Sequence, residues 1–447
     1  MRFKKSELFA IPCGELFGLA DEAIQILYSP FRDEIALADQ FMVDALAAEY
    51  ERRHDATNKA VQELMNTFHQ DEVSVRPKRD IKQTTRLSVI PNLTCNFACS
   101  YCYSAKGRSA VVLDEQKARA VLDYFINHTR LEPCHLSLFV TGGGEPLATW
   151  PLTSGLIAYA KRRAGTEGFG IGVSVITNGS LVTSGIAAFL SRYDCTAGVS
   201  FEVLPELQDR QRGMWARVRD NIRCLHKEGV RVKLNSTITP LSVHRMEEMV
   251  ACVAQDYPFV TGYTMEPVTS AALFESAAHL RAFYNAFFDA YVRCSAIARR
   301  EGITLRFTFD DGSRGITPRH CPGKLCLTPM GKISVCHLVS SPREEHFAEC
   351  VYGEVTDEGQ VWIDEKRFER LYDRNVCAYT ACRDCFAKWD CGGECMTRRD
   401  NYPPDYLEEV CRFNRRFVRY RLLKAIEDTL KQEQGLTLKQ YVENETK

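Results

Sequence analysis

Residues 93–103 read LTCNFACSYCY, directly after the apolar, β-branched run at 87–90. Cys95, Cys99 and Cys102 stand in this stretch at C-x3-C-x2-C spacing. Three thiolates so spaced can take three corners of a cubane iron–sulfur cluster and leave the fourth iron open. An open iron can bind a ligand, whereas a closed four-cysteine site transfers electrons. The alternative, a structural zinc ion, wants a fourth nearby ligand, and the segment offers none.

From about residue 85 the chain alternates strand-like and helix-like runs. Short apolar or β-branched segments occur at 87–90, 136–141, 173–177, 198–201, 230–238 and 263–267. Helical stretches separate them, including 115–128, 157–163, 215–227 and 243–255, and a long helix at 277–300 ends the region. Six such units predict an α/β fold, a partial (β/α)6 barrel over 85–303, with the site built from loops after the strand C-termini.

Residues 1–80 predict a small N-terminal α+β domain. The stretch 25–38, QILYSPFRDEIALA, alternates around a Ser-Pro turn as a hairpin does. Helices at 41–53 and 58–70 and a charged linker at 76–83 follow. Residues 304–411 hold short strands, turns and cysteines, with too little apolar periodicity to hold together without staples. Residues 412–447 read as a helical tail, with Phe413, Phe417 and Tyr420 at helical spacing and the arginines of 412–424 on a solvated face.

Composition narrows the function class. The 447 residues are 45% hydrophobic and 26% charged, with a formal net charge of −1. That balance gives no global attraction to nucleic acid or to an anionic membrane. No apolar run approaches the roughly 18 residues that span a bilayer, and Glu7, Glu15 and Asp21 interrupt any secretory apolar region. The expectation is a cytoplasmic protein with no nucleic-acid and no membrane partner. An odd number of cysteines, 19, in a reducing compartment points to metal rather than disulfides.

The C-x3-C-x-aromatic-C pattern, with Tyr101 before the last cysteine, resembles the radical SAM superfamily. The resemblance implies that the open iron chelates the amino and carboxyl groups of S-adenosylmethionine (SAM). The reduced cluster would then split the sulfonium into methionine and a 5′-deoxyadenosyl radical that abstracts a substrate hydrogen. Three later segments fall where that family puts its SAM contacts. Gly143-Gly144-Glu145-Pro146 follows the second strand; glycines let backbone approach a ligand, and the Glu145 region is implied to hold the SAM amine. Thr177-Asn178-Gly179 ends the third strand and is implied to reach the ribose or carboxylate through Asn178. Ser200 ends the fourth strand, and Arg212, with Arg210 and Arg217 as competitors, is the implied carboxylate partner. The family often carries Ser-x-Asp-Gly there; this chain departs from it with Ser200-Phe201-Glu202-Val203.

Towards the C-terminus, Cys321-x9-Gly331-x4-Cys336 is followed by Cys382-x2-Cys385-x5-Cys391-x3-Cys395 and Cys411. The arrangement resembles the SPASM domain, the auxiliary-cluster module of radical SAM enzymes that modify peptides and proteins. It implies two further [4Fe–4S] clusters, three in all. One takes Cys321, Cys336 and Cys395 with a fourth position open between Cys326, Cys350 and no protein ligand. The other takes Cys382, Cys385, Cys391 and Cys411. Cys13, Cys134, Cys195, Cys224, Cys252, Cys294, Cys377 and, unless it is that fourth ligand, Cys350 are isolated and expected as buried small hydrophobes.

The same resemblance implies a maturase that acts on a ribosomally made precursor peptide with a leader and forms a carbon–carbon, ether or thioether cross-link. An external one-electron reductant such as a flavodoxin or ferredoxin would feed it. Residues 1–80 resemble, loosely, the peptide-recognition element of such enzymes. One alternative is a formylglycine-forming dehydrogenase; sulfatase-maturating relatives carry an aspartate after the cysteine at Cys336, where this chain has His337. His337 is expected to sit behind a ligand rather than to act as a base. Another alternative is a non-catalytic iron–sulfur electron-transfer protein.

Overall fold

The computed structural model describes residues 1–3, 7–14, 16–18, 24–52, 59–68, 80–310, 316–321 and 324–445. Near the N-terminus, β1 (Phe9–Pro12), β2 (Ile24–Ser29) and β3 (Glu34–Asp39) form an antiparallel sheet in sequential order. Helices α1 (Gln40–Arg52) and α2 (Lys59–Phe68) follow. The period-2 alternation sorts the side chains by face. Leu8, Ala10 and Leu27 pack with Val43, Leu46, Val61 and Phe68, while Phe9, Ile11, Ile26 and Tyr28 pack with Val418, Leu422 and Leu423. The expected hairpin is present. β1 was not anticipated, because its four residues end at a proline and carry no readable period. Residues 53, 58, 69 and 70 of the expected helices, and 76–79 of the expected linker, lie outside the described residues.

The central sheet contains β4 (Arg86–Val89), β5 (His135–Val140), β6 (Gly170–Thr177), β7 (Cys195–Ser200), β8 (Arg231–Ile238), β9 (Gly262–Pro267) and β10 (Thr304–Arg306), all parallel and in sequence order. Helices α3 (Glu115–Phe125), α4 (Trp150–Glu167), α5 (Ser184–Arg192), α6 (Pro205–Gln211), α7 (Trp215–Lys227), α8 (Met246–Asp256) and α9 (Ala277–Arg300) connect the strands. Repeated right-handed crossovers curl such a sheet. Among the described residues β10 and β4 do not pair, so the barrel is partial, as expected, with β10 as a short addition to the six strands read from sequence.

The free side of β4 takes β11 (Leu325–Leu327) in parallel, with Cys326 opposite Ser88. β12 (Lys332–Ser334), β13 (Val351–Val355) and β14 (Val361–Ile363) continue antiparallel, giving one sheet of eleven strands. This corrects the expectation that 304–411 lacks a core. Leu325, Leu327, Ile333, Val335, Tyr352 and Phe368 are buried in the same cluster as the barrel. Three-residue strands are too short for a period to be counted.

The helix Pro404–Glu433 runs through the expected boundary at 411–412. Its apolar stripe stacks on the barrel: Phe413 lies 4.7 Å from Tyr284, and Phe417 lies 4.9 Å from Phe307, centroid to centroid. Its arginines are partly exposed, as expected of a solvated face, and are also paired. Arg416 pairs with Asp289 at 2.8 Å, Arg415 with Glu408 at 2.6 Å and Arg421 with Asp390 at 2.5 Å. Of the isolated cysteines, Cys13, Cys195, Cys294 and Cys350 are buried and Cys224 and Cys252 half-buried, but Cys134 and Cys377 are exposed, against expectation. No described helix is long and apolar enough to cross a membrane.

Candidate active site

The cysteine loop leaves the C-terminal end of β4 and is stitched to the turn after β5. Asn92 donates through Nδ2 to the Glu145 carbonyl at 2.9 Å and to Thr149 Oγ1 at 2.8 Å, and its Oδ1 accepts the Thr94 N–H at 2.9 Å. The N–H groups of Gly144 and Glu145 donate to the carbonyls of Asn92 and Thr94 at 3.0 and 2.7 Å. A Cβ on Gly144 would overlap Asn92 Oδ1 and the Thr94 carbonyl. Glycine is required here because the chain approaches its own cysteine loop.

Glu145 is 2% exposed. Its Oε1 accepts from the Thr177 hydroxyl at 2.5 Å and the Leu147 N–H at 3.1 Å, and its Oε2 accepts the Asn178 N–H at 2.7 Å. Burial raises its pKa, and these donors oppose the rise. Asn178 in turn donates to Asn96 Oδ1 at 2.9 Å and points its amide at Cys95 Sγ, 3.9 Å away. The ends of β5 and β6 are thereby fixed to the loop that carries the thiols.

Those thiols face N–H donors. Arg108 Nη2 lies 3.3 Å from Cys102 Sγ, and the Phe97 N–H 3.5 Å from Cys95 Sγ. Cys99 has its thiol pKa raised by burial, with Arg212 pulling the other way and Cys102 and Cys95 adding to the rise. All three are free cysteines. Among the described residues no three His, Cys, Asp or Glu converge tightly enough for a single metal ion; a cubane takes its ligands at separate corners and needs no such convergence. Three free thiols, with N–H groups aimed at the sulfurs of Cys95 and Cys102, fit an open cubane.

Ser200 ends β7, half-buried. Next to it the departure from Ser-x-Asp-Gly becomes intelligible. Glu202 is fully buried and accepts from the Tyr101 hydroxyl, which in turn accepts from Arg212 Nη1 at 2.8 Å. Arg212 and Glu202 form an ion pair at 3.7 Å. Val203 takes the left-handed conformation, φ +64°, that the family's glycine would supply. The turn is kept at a cost of about 1–3 kcal/mol in backbone strain. Glu202 Oε2 and Arg212 Nε are buried without partners among the described residues, so polar capacity remains for a bound molecule. Of the three arginines weighed, Arg212 is the one joined to this cluster. Glu202 was missed as a site residue, although it stands two positions after Ser200.

The C-terminal cysteines separate into two sets by which sulfurs influence one another. Cys326 is pushed up to about 12 by burial and lies near Cys350 and Cys321. Cys336 is raised by burial and by Cys395 and Cys350. Both candidates for the open position, Cys326 and Cys350, lie near members of the set of Cys321, Cys336 and Cys395. Cys391 is raised by burial, with Cys411 and Cys385 nearby, and Cys385 neighbours Cys382. Seven of these free thiols, with Cys326 or Cys350 as an alternative eighth and Asn414 Nδ2 at 3.3 Å from Cys391 Sγ, suit two further clusters. His337 accepts from Lys324 Nζ at 2.9 Å, and its imidazole pKa is driven well below normal by burial and by Lys324.

Residues 89–253 match the Radical SAM superfamily. That span holds Cys95, Cys99, Cys102, Glu145, Asn178, Ser200 and Arg212, so the chain carries a radical SAM domain. Such a domain implies radical chemistry with a [4Fe–4S] cluster and SAM. Among relatives, an uncharacterised protein of Methanothermobacter thermautotrophicus is 29% identical over 171 residues. That alignment takes in 36% of this chain and spans 60% of the relative's length. The serine-type anaerobic sulfatase-maturating enzyme of Klebsiella aerogenes is 24% identical over 331 residues, 67% of this chain and 76% of that one. Among solved structures, native anSMEcpe with bound AdoMet superposes with a TM-score of 0.59 at 16% identity, covering 77% of this chain and all of that one. SuiB of Streptococcus suis bound to its precursor peptide SuiA gives 0.51 at 13% identity, covering 91% and 98%. The chain shares their fold.

Proposed function

We propose that this radical SAM protein is a maturase that abstracts a hydrogen from a ribosomally made precursor peptide and closes a side-chain cross-link. The observation that carries the reading is the junction between the two cysteine-bearing regions. β11 pairs with β4, and the His337 carbonyl, one residue after Cys336, lies against Gly142 in the turn that clamps the cysteine loop. The first auxiliary set thus borders the mouth of the barrel, where a substrate radical would form. The names of the relatives support it: one matures sulfatases, and one fold neighbour is bound to a precursor peptide.

In this reading Cys95, Cys99 and Cys102 hold the catalytic [4Fe–4S] cluster. When bound, the cluster and SAM supply the radical that takes the substrate hydrogen. Ser200 and Arg212 face the SAM carboxylate and ribose, with Tyr101 and Glu202 fixing the guanidinium. Asn178, Gly143, Gly144 and Glu145 hold the loops that frame the SAM site. The two C-terminal sets hold two more [4Fe–4S] clusters, three in all, and accept the second electron that closing a cross-link releases. An external flavodoxin or ferredoxin delivers reducing equivalents. Residues 1–80, 85–303, 304–411 and 412–447 are the recognition, barrel, auxiliary and tail segments. β3 has an outer edge with no strand partner among the described residues, and a leader peptide can add there as a strand.

The relationship to the Klebsiella aerogenes enzyme favours a second reading, formylglycine formation, and His337 in place of aspartate argues against it. The deciding experiment is anaerobic turnover with SAM, a reductant and the peptide encoded by a neighbouring short open reading frame. Release of methionine and 5′-deoxyadenosine with a peptide lighter by two hydrogens is expected. SAM cleavage with no change in the peptide, together with oxidation of a sulfatase peptide, overturns the cross-linking reading in favour of the second.

A further inference from the structure

Cys391-Gly392-Gly393-Glu394-Cys395 joins a ligand of the second auxiliary set to a ligand of the first. Gly392, Gly393 and Glu394 all take left-handed backbone, at φ +65°, +80° and +70°. The two glycines adopt it freely, and a Cβ on Gly392 would overlap the backbone of Arg319 and His320. Glu394 is the exception, a strained non-glycine residue that is ionisable and 5% exposed. Glycine at this position would relieve the strain but strand the Arg398 guanidinium, so the strained backbone is held by the partners of the carboxylate.

Its carboxylate touches both sets. Oε1 accepts the Cys395 N–H at 2.9 Å and pairs with Arg398 Nη1 at 3.2 Å. Oε2 accepts from Asn414 Nδ2 at 2.8 Å, and the same amide nitrogen donates to Cys391 Sγ at 3.3 Å. Asn414 follows Cys411 by three residues in the helix Pro404–Glu433, which puts both on one face. One carboxylate and one amide therefore make a continuous connection from the sulfur of Cys391 to the backbone of Cys395.

Cluster potentials respond to nearby charge and to hydrogen bonds on sulfur. We infer that Glu394 is a positioning residue shared by the two auxiliary clusters, one whose negative charge lowers both potentials and whose bridge through Asn414 ties the two ligand sets together. The inference rests on the reading that both sets hold [4Fe–4S] clusters.

The test is potentiometric titration of the anaerobically reconstituted full chain, followed by electron paramagnetic resonance, after an iron count. Glu394→Gln keeps the shape and removes the charge. Both auxiliary clusters should become easier to reduce by about tenfold, or about 59 mV for one electron. Arg398→Gln strips the carboxylate of its counter-ion and should move both the opposite way. Asn414→Leu removes the N–H from Cys391 and should lower the potential of that cluster. A merely structural role would loosen the clusters without opposite signs. About 12 iron per chain with potentials that stay put, or that move in one direction in both charge variants, overturns the inference alone. About 4 iron in the unaltered protein overturns the underlying reading and the inference with it. If Glu394→Gln loses its clusters, Arg398→Gln decides, and an unshifted potential there counts against the proposal.

Discussion

Asn92 donates its side-chain amide to the main-chain carbonyl of Glu145 at 2.9 Å, tying the thiol-bearing loop to the next strand's turn. Asn92 is fully buried, and its second amide bond and its carbonyl are also satisfied. The Asn92→Ala change should cost about 1–3 kcal/mol by leaving those partners unpaired, seen as a lower urea midpoint. SAM affinity should fall with it, by calorimetry on the reconstituted protein, because the loop and the turn move as one.

Glu202 is buried with Arg212 as its ionic partner. Arg212→Met should therefore destabilise by about 3–5 kcal/mol, because it strands a buried carboxylate. Adding Glu202→Gln to it should restore most of that stability while SAM binding stays weak. Recovery of both stability and binding in the double variant would remove Arg212 from the SAM site.

Replacing Cys95, Cys99 and Cys102 together with Ala should abolish SAM cleavage and lower iron from about 12 to about 8 per chain. Retained cleavage in that variant, read as 5′-deoxyadenosine by chromatography, contradicts the assignment of the catalytic cluster.

Glu7 anchors the N-terminal sheet to the second auxiliary loop. It pairs with Lys388 at 2.8 Å and accepts from Trp389 Nε1 at 2.8 Å, with Lys388 itself nearly buried. Glu7→Ala should cost about 3 kcal/mol by stranding the ammonium and should quicken proteolysis near the N-terminus. It is a gentler probe of leader recognition than deletion of residues 1–80, which would bare Val418, Leu422 and Leu423.

Much of this was legible in sequence because it is written in spacing. The C-x3-C-x2-C loop and the barrel strands at 136–141 and 263–267 follow periods or intervals that need no third dimension. The helices Trp215–Lys227 and Ala277–Arg300 appear with the expected bounds. What stayed hidden depends on long-range partners. Glu202 looked like a broken motif until Tyr101 and Arg212 met it, and the packing of Gly144 against Asn92 carries no signal in the sequence. Asn414 carries no motif; only the fold brings it to Cys391 and to the Glu394 carboxylate. The core of 304–411 was invisible because its strand Leu325–Leu327 borrows a partner from β4.

That borrowing has a consequence for how the protein comes into being. Leu87 pairs with Leu325, and at 5–20 residues per second the ribosome delivers the second about 10–50 s after the first. Throughout that interval the strand leading into the thiol loop presents a bare edge, a template for pairing with other chains. Nascent chains that stop before residue 325 should be insoluble, and those that pass it should not. Emergence of residue 325 thus acts as a checkpoint on covering the strand that leads into Cys95, Cys99 and Cys102.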